Sequence, residues 1–389
     1  MSHAGDDIVG AAPSRRLSAG AVSAVETVLG PVQATELGAT HIHEHVFLDL
    51  RRRSAGTATP AHEPLALHNY YEARRTVENP HSRVLDSVSE AVDELGEFAR
   101  AGGRTIVEVT PICLGRRPAQ LATVSRATGL NIVMGGGYYT HQYHCAEAHS
   151  LSVEELTEQM TRDCTEGSAV EDDGFGRTHI RSGVIGEIGL TWPVTDCEHR
   201  VLEAAARAQA VTGRTLIIHP GRDRAAPLAA LRAVEAAGAD PGRVVMSHLD
   251  RTLESIDDIA ELARAGAFVA FDLFGHETSY YSHSPFLLPN DAGRLRMVGE
   301  LLGRGHAHQV LMAQDICNKT HLSRYGGEGY AHILRRVVPI MEQLGMGADV
   351  QHLLLVTNPA LALTGLAPRD LAALAASAAG APTAAPSLT

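Results

Sequence analysis

Six residues of this chain have the chemistry to hold divalent cations: His43, His45, Glu187, His219, His248 and Asp315. His43 and His45 flank Glu44 at the end of the run Leu37-Gly38-Ala39-Thr40-His41-Ile42-His43. Alternate residues on a strand share a face, so both imidazoles are expected to enter one cavity, and imidazole is a common ligand of zinc and similar ions. In a chain with 21 His the triplet alone is weak evidence. Glu187 in Gly186-Glu187-Ile188-Gly189, His219, His248 and Asp315 each close a further apolar run. A single strand-end His or acid is ordinarily a hydrogen-bonded residue or a helix cap. Four imidazoles and two carboxylates together are too many for one tetrahedral ion and suit two ions sharing a carboxylate. Two such ions would ionise a bridging water near neutral pH and polarise a carbonyl or phosphoryl oxygen, leaving Asp315 to accept a proton and pass it on to the leaving group.

Residues so far apart in sequence need a scaffold that returns strand ends to one place. Eight short β-branched runs fit that need: Ala39 to His43, Thr105 to Val109, Ile132 to Gly136, Gly183 to Ile188, Thr215 to His219, Val244 to His248, Phe268 to Asp272 and Val310 to Gln314. Most are followed by a helical pattern, such as Glu198 to Val211 stopped by Gly213, or Leu253 to Ala265 stopped by Gly266. Alternating βα units predict a parallel sheet, and eight of them predict a closed TIM-like (β/α)8 barrel with its chemistry at the C-terminal strand ends. A doubly wound sheet would need a G-x-G-x-x-G turn opening a helix; Gly135-Gly136-Gly137 lacks that spacing and reads as close packing at a strand end.

The 389 residues read as one catalytic domain over 21–366, preceded by a flexible leader over 1–20 and followed by an Ala- and Pro-rich tail over 367–389, disordered from Ala379. Arg51 to Pro80 reads as a long loop with a helix near the barrel mouth. No apolar stretch is long enough to span a membrane, and the first residues lack the order of a secretory signal, so a cytoplasmic protein is expected. Five Cys without C-x-x-C spacing argue against a disulfide framework or a zinc knuckle. A net charge of -12 argues against a nucleic-acid partner and leaves a small molecule as the expected one.

The chain resembles the phosphotriesterase family of the amidohydrolase superfamily, in its phosphotriesterase-related branch. The resemblance is carried in order by Val25-Glu26-Thr27-Val28-Leu29-Gly30, His43-Glu44-His45, Gly183 to Gly189, Ile217-Ile218-His219-Pro220-Gly221-Arg222, Met246 to Arg251, Phe271 to Gly275, Asp315 and Tyr325 to Tyr330. It implies an amidohydrolase-type barrel with a binuclear centre: His43, His45 and Asp315 on the more buried ion, His219 and His248 on the more exposed one, Glu187 between them. The ions implied are zinc, with manganese, cobalt or iron(II) as alternatives. The family's organophosphate hydrolases and lactonases use a carbamylated Lys as the bridge, and a Glu stands here, which puts phosphotriester activity in doubt but not the metal centre. The branch includes enzymes acting on small N-acyl amides such as N-acetyltaurine, and similar barrels are often dimers.

Cations near the strand ends, Arg222, Arg251 and Lys319, suit a carboxylate, sulfonate or phosphate on the substrate, although each could instead pair with an acid such as Asp250. Tyr139 is a candidate pocket residue and Tyr138 reads with it as packing or pocket. Glu108 could orient a ligand imidazole or cap a loop, whereas His41 reads as a packed residue and His321 as a loop residue. The leading expectation is therefore a metal-dependent hydrolase of an amide, ester or lactone in a small anionic compound. Phosphoester or phosphotriester hydrolysis is the alternative, and a silent binding barrel is disfavoured because every ligand position is filled.

Overall fold

A computed structural model describes residues 22–380 apart from 52–62, 76–78, 145, 169–177 and 278–286. The stretches read as leader (1–20) and as the end of the tail (381–389) lie outside the described residues, as does much of the loop after Arg51.

Eight parallel strands alternate with helices: β1 Ala39–Glu44, β2 Gly103–Glu108, β3 Asn131–Met134, β4 Val184–Gly189, β5 Thr215–His219, β6 Val244–Met246, β7 Phe268–Phe271 and β8 Val310–Met312. Ladders join β1-β2-β3 and β4-β5-β6-β7-β8. Two seams close the cylinder. The Gly183 N–H donates to Met134 O (2.8 Å) and the Gly186 N–H to Gly136 O (2.6 Å) between β3 and β4, and the Asp315 N–H donates to His43 O (3.2 Å) where β8 meets β1. These bonds bring the edges of the two ladders together into a barrel. The third-strand glycines do what their type suggests: a Cβ on Gly135 would lie 2.1 Å from Gly186 O.

Strand periodicity sorts the core into two shells. Val107, Val133, Ile217, Val245 and Leu311 pack inside the barrel with Leu361, while their neighbours Ile106, Ile132, Leu216, Val244 and Val310 pack outward against helices. Each fully buried side chain of this size contributes about 1.5–3 kcal/mol. The covering helices are α1 Val88–Arg100, α2 Pro118–Thr128, α3 Val153–Thr165, α4 Asp196–Thr212, α5 Ala226–Ala236, α6 Ile256–Arg264, α7 Asp291–Gly303 and α8 Val338–Gln343. Helix α4 starts on a capping box of Thr195 and Glu198 and stops at Gly213 in the left-handed region. Helix α6 begins later than Leu253 because Ser255 caps it, and Leu249–Thr252 forms a separate turn. Helix α9 Asn358–Thr364 plugs the N-terminal end of the barrel, and α10 Pro368–Gly380, within the stretch read as a tail, adds Leu371 to that base.

An antiparallel hairpin, Ala24–Thr27 with Gly30–Gln33, precedes the barrel and was not expected from periodicity. The helix near the mouth is Tyr70–Arg75, whose Arg74 pairs with Glu328 at 2.5 Å. The expectation of no disulfide framework did not provide for a bridge at all: Cys113 is disulfide-bonded, while among the described residues Cys164, Cys197 and Cys317 are free. An odd count excludes complete pairing but not a single bridge.

Candidate metal centre

Strict alternation carries two of the six candidate residues to the barrel mouth. His219 follows the inward Ile217 by two, and Asp315 follows the inward Leu311 by four. His43 and Glu187 would point outward by the same rule, since Ile42 and Val184 face inward. At both places the ladder shifts register, between His41 and Glu44 and between Ile185 and Ile188. Such irregularities re-aim a side chain next to a site. His41, before the shift, faces outward as a packed residue: its ring lies 4.6 Å from that of Phe98 and its Nδ1 is 3.0 Å from Glu44 Oε1. His248 is turned by a left-handed backbone (φ 56°), and Asp315 also sits there (φ 49°). Non-glycine residues in this region cost roughly 1–3 kcal/mol and cluster at functional sites.

The six side chains converge. Glu187 Oε1 lies 3.3 Å from His45 Nε2, and Glu187 Oε2 lies 2.9 Å from His219 Nδ1 and 3.6 Å from both His43 Nε2 and His248 Nε2. Asp315 Oδ1 lies 3.3 Å from His45 Nε2 and 3.8 Å from His43 Nε2. Two donor sets result, His43 with His45 and Asp315, and Glu187 with His219 and His248, each with its ligand atoms within 4.8 Å of one another. One carboxylate thus faces both sets.

The fit to cations can be tested on the far side of each ring. His45 Nδ1 is 2.9 Å from Thr110 Oγ1, whose hydroxyl donates to Glu108, so Thr110 accepts from His45 and leaves Nε2 with its lone pair toward the cluster. Glu108 also accepts from the Val46 N–H and so acts on the imidazole through Thr110. His248 Nδ1 is 2.8 Å from Asp272 Oδ1, and His43 Nδ1 is 3.0 Å from Ser247 Oγ. His43 Nε2 is buried with no hydrogen-bond partner, an orphan that a cation would satisfy. His219 is reversed: Nδ1 faces Glu187, while Nε2 lies 2.9 Å from Arg251 Nη2 and 3.4 Å from Tyr139 Oη. The residues fit two hard or borderline cations held by N and O donors.

Electrostatics agree with that fit. Burial pushes Glu187 and Asp315 upward, but the imidazoles around them overrule it, His219 and His248 most for Glu187 and the His45 bond for Asp315, and both carboxyls stay ionised. Burial pulls His43 and His219 below the usual histidine range. Against burial, Asp315 and Glu187 raise His45 to about 10, and Asp272 raises His248 to about 9. Without metal, protons occupy the places of positive charge.

Residues 23–363, which contain all six of these side chains, fit the model of the phosphotriesterase family. The chain belongs to the phosphotriesterase family. Among its relatives in that family is the N-acetyltaurine hydrolase of Rattus norvegicus, 40% identical over 352 residues, covering 87% of this chain and 97% of that one. A resiniferatoxin-binding protein from Rhodobacter sphaeroides is 32% identical, with a TM-score of 0.81 over 88% of this chain and 95% of that one. The phosphotriesterase homology protein of Escherichia coli, solved with phosphate in its active site, is 28% identical, with a TM-score of 0.70 over 84% and 99% of the two chains. The fold is the amidohydrolase-type TIM barrel, and the chain is a hydrolase.

The residues proposed at the rim of this family's site divide. Arg251 is buried and reaches His219, and Asp250 pairs with Arg294 (2.7 Å), not with Arg251. Arg222 is exposed, close enough to Tyr139 for its charge to act there. Tyr139 turns its hydroxyl to His219, whereas Tyr138 turns away and donates to Gln159 Oε1 at 2.8 Å. Lys319 lies in the turn Lys319–His321, whose N–H is bonded to Ser82 O (2.7 Å); its ammonium makes no hydrogen bond or ion pair among the described residues. The His321 ring packs at a tilt against that of His276, their centroids 4.3 Å apart. Sequence reasoning gave no role to Asp272, Thr110 or Ser247. Asp272 had a signal, being a carboxylate at the end of the seventh predicted strand.

Proposed function

We propose that this chain is a binuclear metal-dependent hydrolase of a small anionic N-acyl compound, an N-acyl taurine or N-acyl amino acid, with His43, His45, Glu187, His219, His248 and Asp315 as its metal ligands. The observation that carries the reading is the placement of the buried Arg251 guanidinium 2.9 Å from His219, at the edge of the converged cluster. Held there by His219 and, through Nη1, by Thr252 Oγ1 at 3.2 Å, the guanidinium fixes a positive charge beside the cluster that attracts a sulfonate or carboxylate next to the reacting carbonyl. The name of the rat relative points the same way.

Two divalent ions held by these donors would supply an acidified water and a Lewis acid for the scissile carbonyl. The rest falls to the chain itself. Asp315 is the one cluster carboxylate with part of its side chain open to the mouth, 15% exposed against 3% for Glu187. Ionised, it takes the proton of the attacking water and returns it to the leaving amine nitrogen; the acid formed then gives its own proton to the amine, so that an amide and water give a carboxylate and an ammonium. Burial holds the Tyr139 phenol well above its usual range, so it stays protonated and donates to the substrate oxygen. Arg251 and Arg222 orient the anionic end.

The test is a panel of N-acetyltaurine, N-acetyl amino acids, lactones, neutral aryl esters and phosphotriesters, run after reconstitution with zinc or manganese. The proposal expects the anionic N-acyl amides to give the highest kcat/KM. No turnover of any carbonyl substrate would overturn it. A second reading, phosphoester hydrolysis, is favoured by the phosphate in the active site of the Escherichia coli relative and is decided by the same panel.

A further inference from the structure

A second cluster lies behind Tyr139, where the segment after β3 meets the start of α4. His144, His149 and Cys197 each offer one ligand atom, and the three atoms lie within 4.8 Å of one another. His144 Nδ1 is 3.2 Å from Cys197 Sγ, close to the roughly 3.6 Å that separates N and S donors on one tetrahedral zinc ion. The other nitrogen of His144 is already committed: Nε2 lies 2.6 Å from Tyr139 O, and a carbonyl only accepts, so the ring proton sits on Nε2 and the Nδ1 lone pair faces the thiol. A backbone carbonyl behind the far ring nitrogen is how metal-binding histidines are usually fixed. Burial also pulls His144 below the usual histidine range, keeping it neutral as ligation requires. His149 is exposed and its ring stands 5.5 Å from that of His144. Cys197 is a free thiol in the first turn of α4, donating to Ala148 O at 3.6 Å.

We propose that His144 Nδ1, His149 and the Cys197 thiolate form a further metal site for one borderline cation of the zinc type, distinct from the strand-end cluster. The cation displaces the thiol proton to solvent, leaves its fourth position to water, and ties the Tyr139 backbone, through His144, to the start of α4. Its consequence is a fixed position for the phenol that faces His219.

Cobalt(II) tests this without recourse to activity, because a thiolate ligand adds a near-ultraviolet sulfur-to-cobalt charge-transfer band that the N and O donors of the strand-end cluster cannot produce. The full chain is loaded with Co2+, desalted, and measured for metal content and absorption, alongside C197S and H149A. The expected result is the band in the wild type, its loss in C197S, and one fewer equivalent of bound Co2+ in both variants. His149 is exposed, so H149A keeps the test valid even where a Cys197 substitution disturbs packing. Equal metal content in all three proteins, or a band that persists in C197S, overturns the proposal. Failure of the strand-end cluster to bind two ions would lower the metal content of all three proteins alike and leave the band unchanged.

Discussion

Replacing Thr110 by Val isolates one link of the proposed centre at nearly constant volume. The wild-type hydroxyl accepts from His45 Nδ1 at 2.9 Å and donates to Glu108, so the substitution leaves a buried N–H without an acceptor and a buried carboxylate short of a donor. Glu108 keeps the Val46 N–H at 3.2 Å, which confines the main loss to His45. A buried donor left unsatisfied costs about 1–3 kcal/mol. That penalty falls on the ring orientation that binds metal. At about 1.4 kcal/mol per tenfold it translates to roughly 5- to 150-fold weaker affinity for one ion, in the range seen when groups behind metal-binding histidines are removed, about 10- to 100-fold. The assay is zinc competition against a chromophoric chelator, with thermal unfolding of the zinc-depleted protein as control. Weaker binding of one ion with the second little changed supports the reasoning. Affinity equal to wild type, with only the unfolding temperature lowered, would refute it and leave Thr110 a packing residue.

Asp315→Asn should lower kcat by roughly 10³-fold, within the usual range for removing a general base, while circular dichroism stays native; near-wild-type turnover would take Asp315 out of the proton path. Arg251→Met should raise KM for anionic N-acyl substrates by about 10- to 100-fold and leave neutral aryl esters little affected, because the buried guanidinium is the proposed anion anchor; equal effects on both classes would exclude that role. Asp291 tests acid stability: burial works upward, but the bond from His332 (2.6 Å), the Gly275 N–H and the Arg294 charge hold its carboxyl below the usual range. A lowered folded value gives stability that is fully present above the unfolded value of about 3.9 and fades as pH falls through the folded one. Asp291→Asn should therefore cost about 3 kcal/mol at pH 7 in denaturant unfolding and flatten the loss below pH 4; an unchanged acid limb would contradict the assignment.

The barrel was legible because period-two burial and helix stop signals repeat along the chain. Thr215–His219 matches its expected run, and most other strands differ from theirs by one or two residues. All six cluster residues could be named because each is a His, Glu or Asp at the end of such a run. How they reach the cluster could not be read that way. His43 and Glu187 depend on register shifts, and His248 on a left-handed backbone, which are settled by contacts between strands rather than by either strand's sequence. The groups behind the rings were hidden for a related reason: Thr110 meets His45 across 65 residues and Ser247 meets His43 across 204. Arg251 and Lys319 looked equivalent as cations after a strand end, yet the turn Leu249–Thr252 delivers Arg251 to His219 and the turn Lys319–His321 docks on Ser82 instead. The hairpin Ala24–Thr27/Gly30–Gln33 escaped because four-residue strands carry too little periodicity to register.

The most direct measurement is anomalous diffraction at the zinc edge from crystals of the zinc-loaded protein. The account predicts two peaks at the barrel mouth, one on either side of Glu187: the first about 2.0–2.1 Å from the Nε2 atoms of His43 and His45, the second the same distance from His219 Nδ1 and His248 Nε2. A single peak there, or peaks that leave Glu187 out of contact with either ion, would contradict it.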